Sequence, residues 1–196
     1  MTDAGYGKID YLKNTWDDLR IVPGAFSFAG AADPSLSAWQ PTGAGTSFLV
    51  YEFASADVGY FTVQMPHKYL QGSDLKPHVH WTPRGFGAAE NGNTVFWELD
   101  YTIANVNGTF GAAANVQMHD TCSGTNEKHE ITTSGTITGT GLTVSHMIVG
   151  RITRAAGDTW NSGVPNQQPV LLEIDFHYQL DTTGSDNETS KTNKNS

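Results

Sequence analysis

The clearest alternation of apolar and polar positions in this chain lies between residues 95 and 103. Val95, Trp97, Leu99, Tyr101 and Ile103 are interleaved with Phe96, Glu98, Asp100 and Thr102. Successive side chains of a strand point to opposite faces, so this stretch predicts an antiparallel strand with one face buried. A second strong alternation covers 170–180. It puts Val170, Leu172, Ile174, Phe176 and Tyr178 inside, with Glu173, Asp175, His177 and Gln179 outside. Shorter runs predict strands over 47–54 and 59–65. In the first, Leu49, Tyr51 and Phe53 oppose Phe48 and Val50; in the second, Phe61 and Val63 oppose Tyr60 and Thr62. Further strands are expected at 115–119, in the Thr-rich stretch 130–138, and over 142–153, where Val144, His146, Ile148 and Ile152 share a face.

Between these runs lie turn residues, and no helical period separates them. Seven to nine strands without intervening helices predict an all-β antiparallel β-sandwich, jelly-roll-like, with extended N- and C-terminal arms. Residues 1–24 read as an N-terminal arm, 25–180 as the sandwich domain and 181–196 as a polar C-terminal arm. Thr15-Trp16-Asp17-Asp18-Leu19-Arg20 reads as one turn of helix, with Thr15 as cap and acids in the first turn. Trp16, Leu19 and Ile21 are the arm's anchors, on the same subunit or a neighbour.

Composition narrows the partners. The chain has 196 residues and a net charge of -9, with only 16% charged residues and 21 glycines. An acidic balance argues against nucleic acid and against an anionic membrane surface. No run approaches the roughly 18 apolar residues of a membrane span. The first residues lack the basic and apolar regions of an export signal, so secretion is not expected. The single Cys122 lies among turn residues and is expected to be incidental. No Gly-x-Ser-x-Gly motif or phosphate-cradling glycine loop is present.

The stretch with the most chemistry is Lys76-Pro77-His78-Val79-His80-Trp81-Thr82-Pro83. In a strand His78 and His80 share one face, and Val79 and Trp81 share the other. Such a pair can hold a structural transition metal, line a symmetry axis, or sit as hydrogen-bonded polar residues on a sheet face. A third imidazole could come from His67, His119, His129, His146 or His177, and carboxylates from Glu98, Asp100, Glu173 or Asp175. A cupin-like metal enzyme also uses His-x-His on a jelly-roll strand. Its pattern continues with a nearby Glu, whereas here Trp81-Thr82-Pro83-Arg84-Gly85 follows and the nearest Glu is Glu90.

Three blocks of the chain resemble a family of proteins of tailed bacteriophages and prophages. They are the run from Asn14 through Thr15-Trp16-Asp17-Asp18-Leu19 to Arg20, the run from Met65 through Pro77-His78-Val79-His80 to Trp81, and the run from Leu172 through Asp175-Phe176-His177-Tyr178-Gln179 to Ser185. Trp97-Glu98-Leu99-Asp100-Tyr101 and Gly135-Thr136-Ile137 also fit. The resemblance implies a virion context and brings no catalytic residues with it. Because it runs past the last strand to Lys191, the C-terminal arm is expected to have a binding place.

The expectation is therefore a non-enzymatic virion protein on the capsid surface, assembled in the host cytoplasm. It would decorate or cement the shell as a homotrimer against the major capsid protein or another virion protein. Its contacts would be Trp16, Leu19, Ile21, His78, His80 and Trp81. Removing residues 1–24 is expected to leave a folded sandwich that no longer joins the capsid. A tail-fibre or spike module binding host glycans through exposed tryptophans such as Trp39 and Trp160 is the alternative, and a cupin-like metal-dependent enzyme is the third.

Overall fold

A computed structural model describes residues 15–133, 135–161, 167–181, 184, 185, 187 and 189. Among the described residues, ten strands carry the fold. They are β1 (Trp16–Ile21), β2 (Ser35–Trp39), β3 (Phe48–Glu52), β4 (Val58–Gln64) and β5 (Lys76–Thr82), followed by β6 (Thr94–Ala104), β7 (Ala114–Thr121), β8 (Glu130–Ile131), β9 (Met147–Arg154) and β10 (Val170–Gln179).

The larger sheet has six strands in the order β2-β3-β10-β5-β8, with β1 also pairing with β10; the smaller has the order β4-β9-β6-β7. All pairings are antiparallel. The chain changes sheet at every connection from β3 to β10 except the β6–β7 hairpin. The resulting rows, β3-β10-β5-β8 facing β4-β9-β6-β7, have the jelly-roll order, so the predicted sandwich is present.

The core lies between the sheets and is dominated by aromatic side chains that reach across. Phe53 meets Trp97 edge-on at 5.4 Å, and Phe61 meets Phe176 at 6.1 Å. Each such pair adds about 0.5–1.5 kcal/mol to the burial of its rings. Val79 and Trp81 of β5 are fully buried here, as are Val95, Trp97 and Leu99 of β6. The alternations of β5 and β6 therefore have the expected phase.

In β10 the expected phase holds only in part. Leu171 pairs with Trp81 and Glu173 with His80, so two neighbouring residues of β5 span three of β10. Leu172 is the extra residue of a β-bulge. Leu171 joins the core in its place, and Leu172 is half-buried.

Three further expectations are corrected. Residues 16–21 form a strand, not a turn of helix. Leu19 and Ile21 alternate toward the core while Asp18 and Arg20 point out, and the open edge of β10 offers a ladder from Trp16↔Gln179 to Ile21↔Ile174. The boundary drawn at residue 24 therefore cuts through the sandwich, because Ile21 is a core residue. Among its described residues the Thr-rich stretch forms a regular ladder at Glu130 and Ile131 alone; beyond it the Thr132 and Gly135 amides donate to the Val79 and Pro77 carbonyls at 3.0 and 2.8 Å, and Leu75↔Ile137 is an isolated bridge. Cys122 is buried, with its thiol 3.6 Å from the Gly87 carbonyl oxygen, and burial pushes its pKa up.

At the C-terminal end, Leu180 bridges to Tyr69, and the Ser185 hydroxyl lies 2.9 Å from His67 Nδ1. The arm thus has a seat on its own chain at Ser185. Residues 1–14, and most of 182–196, lie outside the described residues.

Candidate functional site

Two central strands of the larger sheet, β5 and β10, turn their polar phase away from the core. The ladder sets His78 opposite Asp175 and His80 opposite Glu173. From the other edge β1 sets Arg20 opposite Asp175 and Asp18 opposite His177. Directly opposed side chains stand about 4.5–5.5 Å apart at Cβ. Residues from three distant parts of the chain therefore converge on one outer face.

Asp175 is the centre. Its side chain is only 1% exposed although it sits on the outer face. His78 Nε2 lies 2.8 Å from Oδ1, and His80 Nε2 lies 3.2 Å from Oδ2. The first contact is close but badly directed: Oδ1 is buried and accepts no hydrogen bond. Glu173 is held by Arg20, whose Nε and Nη2 donate to Oε1 at 3.1 and 2.8 Å, and its Oε1 stays 3.9 Å from His80 Nε2.

The imidazoles are oriented from behind. His78 Nδ1 faces the Lys76 carbonyl oxygen at 3.3 Å, and His80 Nδ1 faces His129 Nε2 at 2.6 Å. The rings of His78 and His80 are 5.1 Å apart, and His177 stands 6.1 Å from His78. Trp16 stacks on His177 at 5.0 Å, and Asp18 meets its Nδ1. Burial alone would lower the His78 pKa, but the contact with Asp175 and its charge outweigh that and hold it above the ordinary imidazole value.

Of the predicted site residues, the structure brings His78 and His80 together and adds Asp175. Among the described residues, these three form the group whose ligating atoms all lie within 4.8 Å of one another. His129 joins behind His80, while His67, His119 and His146 lie elsewhere. His67 contacts Ser145 at 2.7 Å, His119 packs edge-on to Phe96, and His146 is buried beside Tyr69. Glu98 and Asp100 lie outward on the other sheet, bound to Gln117 and Arg151.

Trp81 is fully buried with Trp160 edge-on at 5.8 Å, so it is a core residue rather than a contact residue. Trp16, Leu19 and Ile21 dock on their own β10. Sequence reasoning missed Arg20, Asp18 and Trp16 as parts of this face because it placed them on a helix; the Leu19/Ile21 alternation was the available signal.

The alternative sites change as well. Trp160 is 7% exposed and donates its indole N–H to the Gln167 carbonyl at 3.0 Å, so it caps the core instead of offering a stacking face. The Trp39 indole donates to Glu127 Oε2 at 2.6 Å. The histidine pair faces away from the interior, which is filled by Val79, Trp81 and their neighbours. A cleft of about 270 Å³ beside β6 and β7 is lined by Tyr101, Ile103, Ile137 and Leu142 and holds no titratable cluster. No family model and no curated protein matches the chain.

Proposed function

We propose that this chain is a structural component of a tailed-phage virion, a non-catalytic jelly-roll module that decorates or cements the capsid surface as a homotrimer. The observation that carries the reading is the apolar surface at the β2 end of the larger sheet, where no further strand pairs with β2 among the described residues. Strand β2 ends the row, and β2 and β3 expose Leu36, Phe48 and Leu49 at 55%, 56% and 71%. The larger sheet has six strands against four, so Leu36 and Leu49 point toward the smaller sheet yet remain uncovered. An open strand edge with large apolar side chains is a template for pairing with another chain.

Three stretches that resemble phage virion proteins, around residues 16, 78 and 175, are adjacent strands β1, β10 and β5 of that same sheet. The acidic balance of the rest of the chain suits contact with protein rather than with DNA. Because residues 16–21 are committed to their own β10, the contact with a neighbour is assigned to the β2–β3 edge.

Cryo-electron microscopy of virions carrying the chain, combined with a Leu36→Lys/Leu49→Lys variant, tests this. The expected result is density over the capsid lattice and loss of both trimer and capsid association in the variant. A few copies at the tail would move the reading to adhesion. An unchanged assembly in the variant would remove the edge from it.

A further inference from the structure

The outer face of the larger sheet holds a geometry that protein atoms alone leave unsatisfied. The Lys76 carbonyl oxygen can only accept, so neutral His78 carries its proton on Nδ1, at 3.3 Å, and its lone pair on Nε2. That lone pair faces Asp175 Oδ1 at 2.8 Å, an oxygen that is buried and accepts no hydrogen bond. His80 Nε2 lies within hydrogen-bond reach of Asp175 Oδ2 at 3.2 Å, and its Nδ1 faces His129 Nε2 at 2.6 Å. Two imidazole nitrogens and a carboxylate thus converge on one point, where positive charge, a proton on an imidazole or a metal ion among all three, is what Asp175 Oδ1 lacks as a partner.

We propose that His78, His80 and Asp175 bind one divalent transition-metal ion of the Zn²⁺ or Co²⁺ class on this face. Two imidazoles and one carboxylate suit borderline ions rather than Ca²⁺ or Mg²⁺, which take all-oxygen shells. Ligand bonds of about 2.1 Å put neighbouring donors roughly 3.0–3.4 Å apart. The observed separations of 2.8 and 3.2 Å lie near that range, and all three donors fall within 4.8 Å.

The surroundings match the supporting groups of a metal site. Each imidazole is held from behind at Nδ1, as a metal-ligating histidine usually is. Arg20 ties up Glu173, so Asp175 is the carboxylate left to bind. The His80 side chain is 17% exposed and gives the ion a way in. The ion would join β5 to β10. The inference is independent of any virion role, since it uses only this chain's residues.

The test uses the untagged full-length chain, stripped with a chelator and titrated separately with Co²⁺ and Zn²⁺. The expected result is one equivalent of ion per chain with a micromolar or lower Kd, and visible cobalt d–d absorption. His78→Ala, His80→Ala and the isosteric Asp175→Asn should each weaken binding about 100-fold or more, and His129→Ala about 10-fold. His177→Gln, a neighbour that is not a ligand, should leave it unchanged. Folding of each variant is checked by circular dichroism. No uptake by the folded wild-type chain would overturn the proposal and leave an imidazolium–carboxylate cluster. Uptake that survives all three ligand substitutions would overturn it too.

Discussion

His78 and Asp175 face each other across the β5–β10 ladder with Nε2 2.8 Å from Oδ1, yet that oxygen accepts no hydrogen bond. Asp175→Asn separates a ligand role from a purely structural one. In metal-free protein the amide N–H can donate to the His78 lone pair, so the variant should lose less than about 1 kcal/mol. Zn²⁺ at about 100 times its Kd should stabilise the wild-type chain by about 2.7 kcal/mol and the variant hardly at all. Urea titrations with and without Zn²⁺ measure both. A metal-free Asp175→Asn protein that has lost several kcal/mol would assign Asp175 to structure alone.

Strand β1 makes the N-terminal segment structural from residue 16 onward. Deleting residues 1–14 is the reference truncation, since it leaves β1 whole. Deleting 1–24 removes the whole β1–β10 ladder and a core residue, Ile21. Leu or Ile to Ala changes in cores already cost about 2–5 kcal/mol, so the longer deletion should lower stability by more than that or prevent folding. Equal midpoints for the two truncations would show that β1 is dispensable.

His146 is fully buried, with Nδ1 2.6 Å from the Thr143 carbonyl oxygen and Nε2 without a partner. Burial holds its pKa below the ordinary 6.5, against the opposing effect of the Thr143 carbonyl. The folded chain then resists a proton that the unfolded chain accepts. Its contribution is intact above pH 6.5 and is lost as pH falls from there toward the lowered folded value. The slope reaches at most about 1.4 kcal/mol per pH unit. His146→Gln should flatten the stability profile in that window relative to wild type; parallel profiles from pH 7 to pH 5 would contradict this.

Gly139 is a close-approach glycine. A Cβ there would stand 1.7 Å from the Ser73 carbonyl oxygen, which is backbone and cannot rotate away. Gly139→Ala should cost about 2 kcal/mol or more, while Gly24→Ala, with nothing within 4 Å, should stay within about 0.5 kcal/mol. Chemical denaturation of the pair checks the contrast.

Much of this was legible in the sequence, for a physical reason. One-sided burial writes a period of two, so β6, β5 and most of β10 could be read residue by residue, including the shared face of His78 and His80. The placement of Asp175 beside them could not. Jelly-roll ladders join segments about a hundred residues apart, and no local pattern specifies which edge meets which. Strand β1 was hidden because Asp17 and Asp18 suit a helix start as well as a strand, and the free edge of β10 decided between them. Strand β2 lies in the Gly-, Ala-, Ser- and Pro-rich stretch 25–46, which reads as an ordered loop with room for one short strand, and its position was not legible because Ser35-Leu36-Ser37-Ala38-Trp39 is a mostly exposed edge with little burial to record.

The single extra residue at Leu172 reaches beyond local geometry. Strict alternation counted from Leu171 would drive Glu173 and Asp175 inward and expel Ile174 and Phe176. The bulge resets the count, so the end of β10 bound to β3 and the end carrying the carboxylates keep their phases separately. Substitutions at Glu173, Asp175 or His177 can therefore rewrite the outer chemistry without disturbing what lies beneath. Deletion of Leu172 would set Leu171 directly beside Glu173, opposite the neighbours Trp81 and His80, so both faces would be kept and only the local bend and twist that the extra residue imposes would be lost.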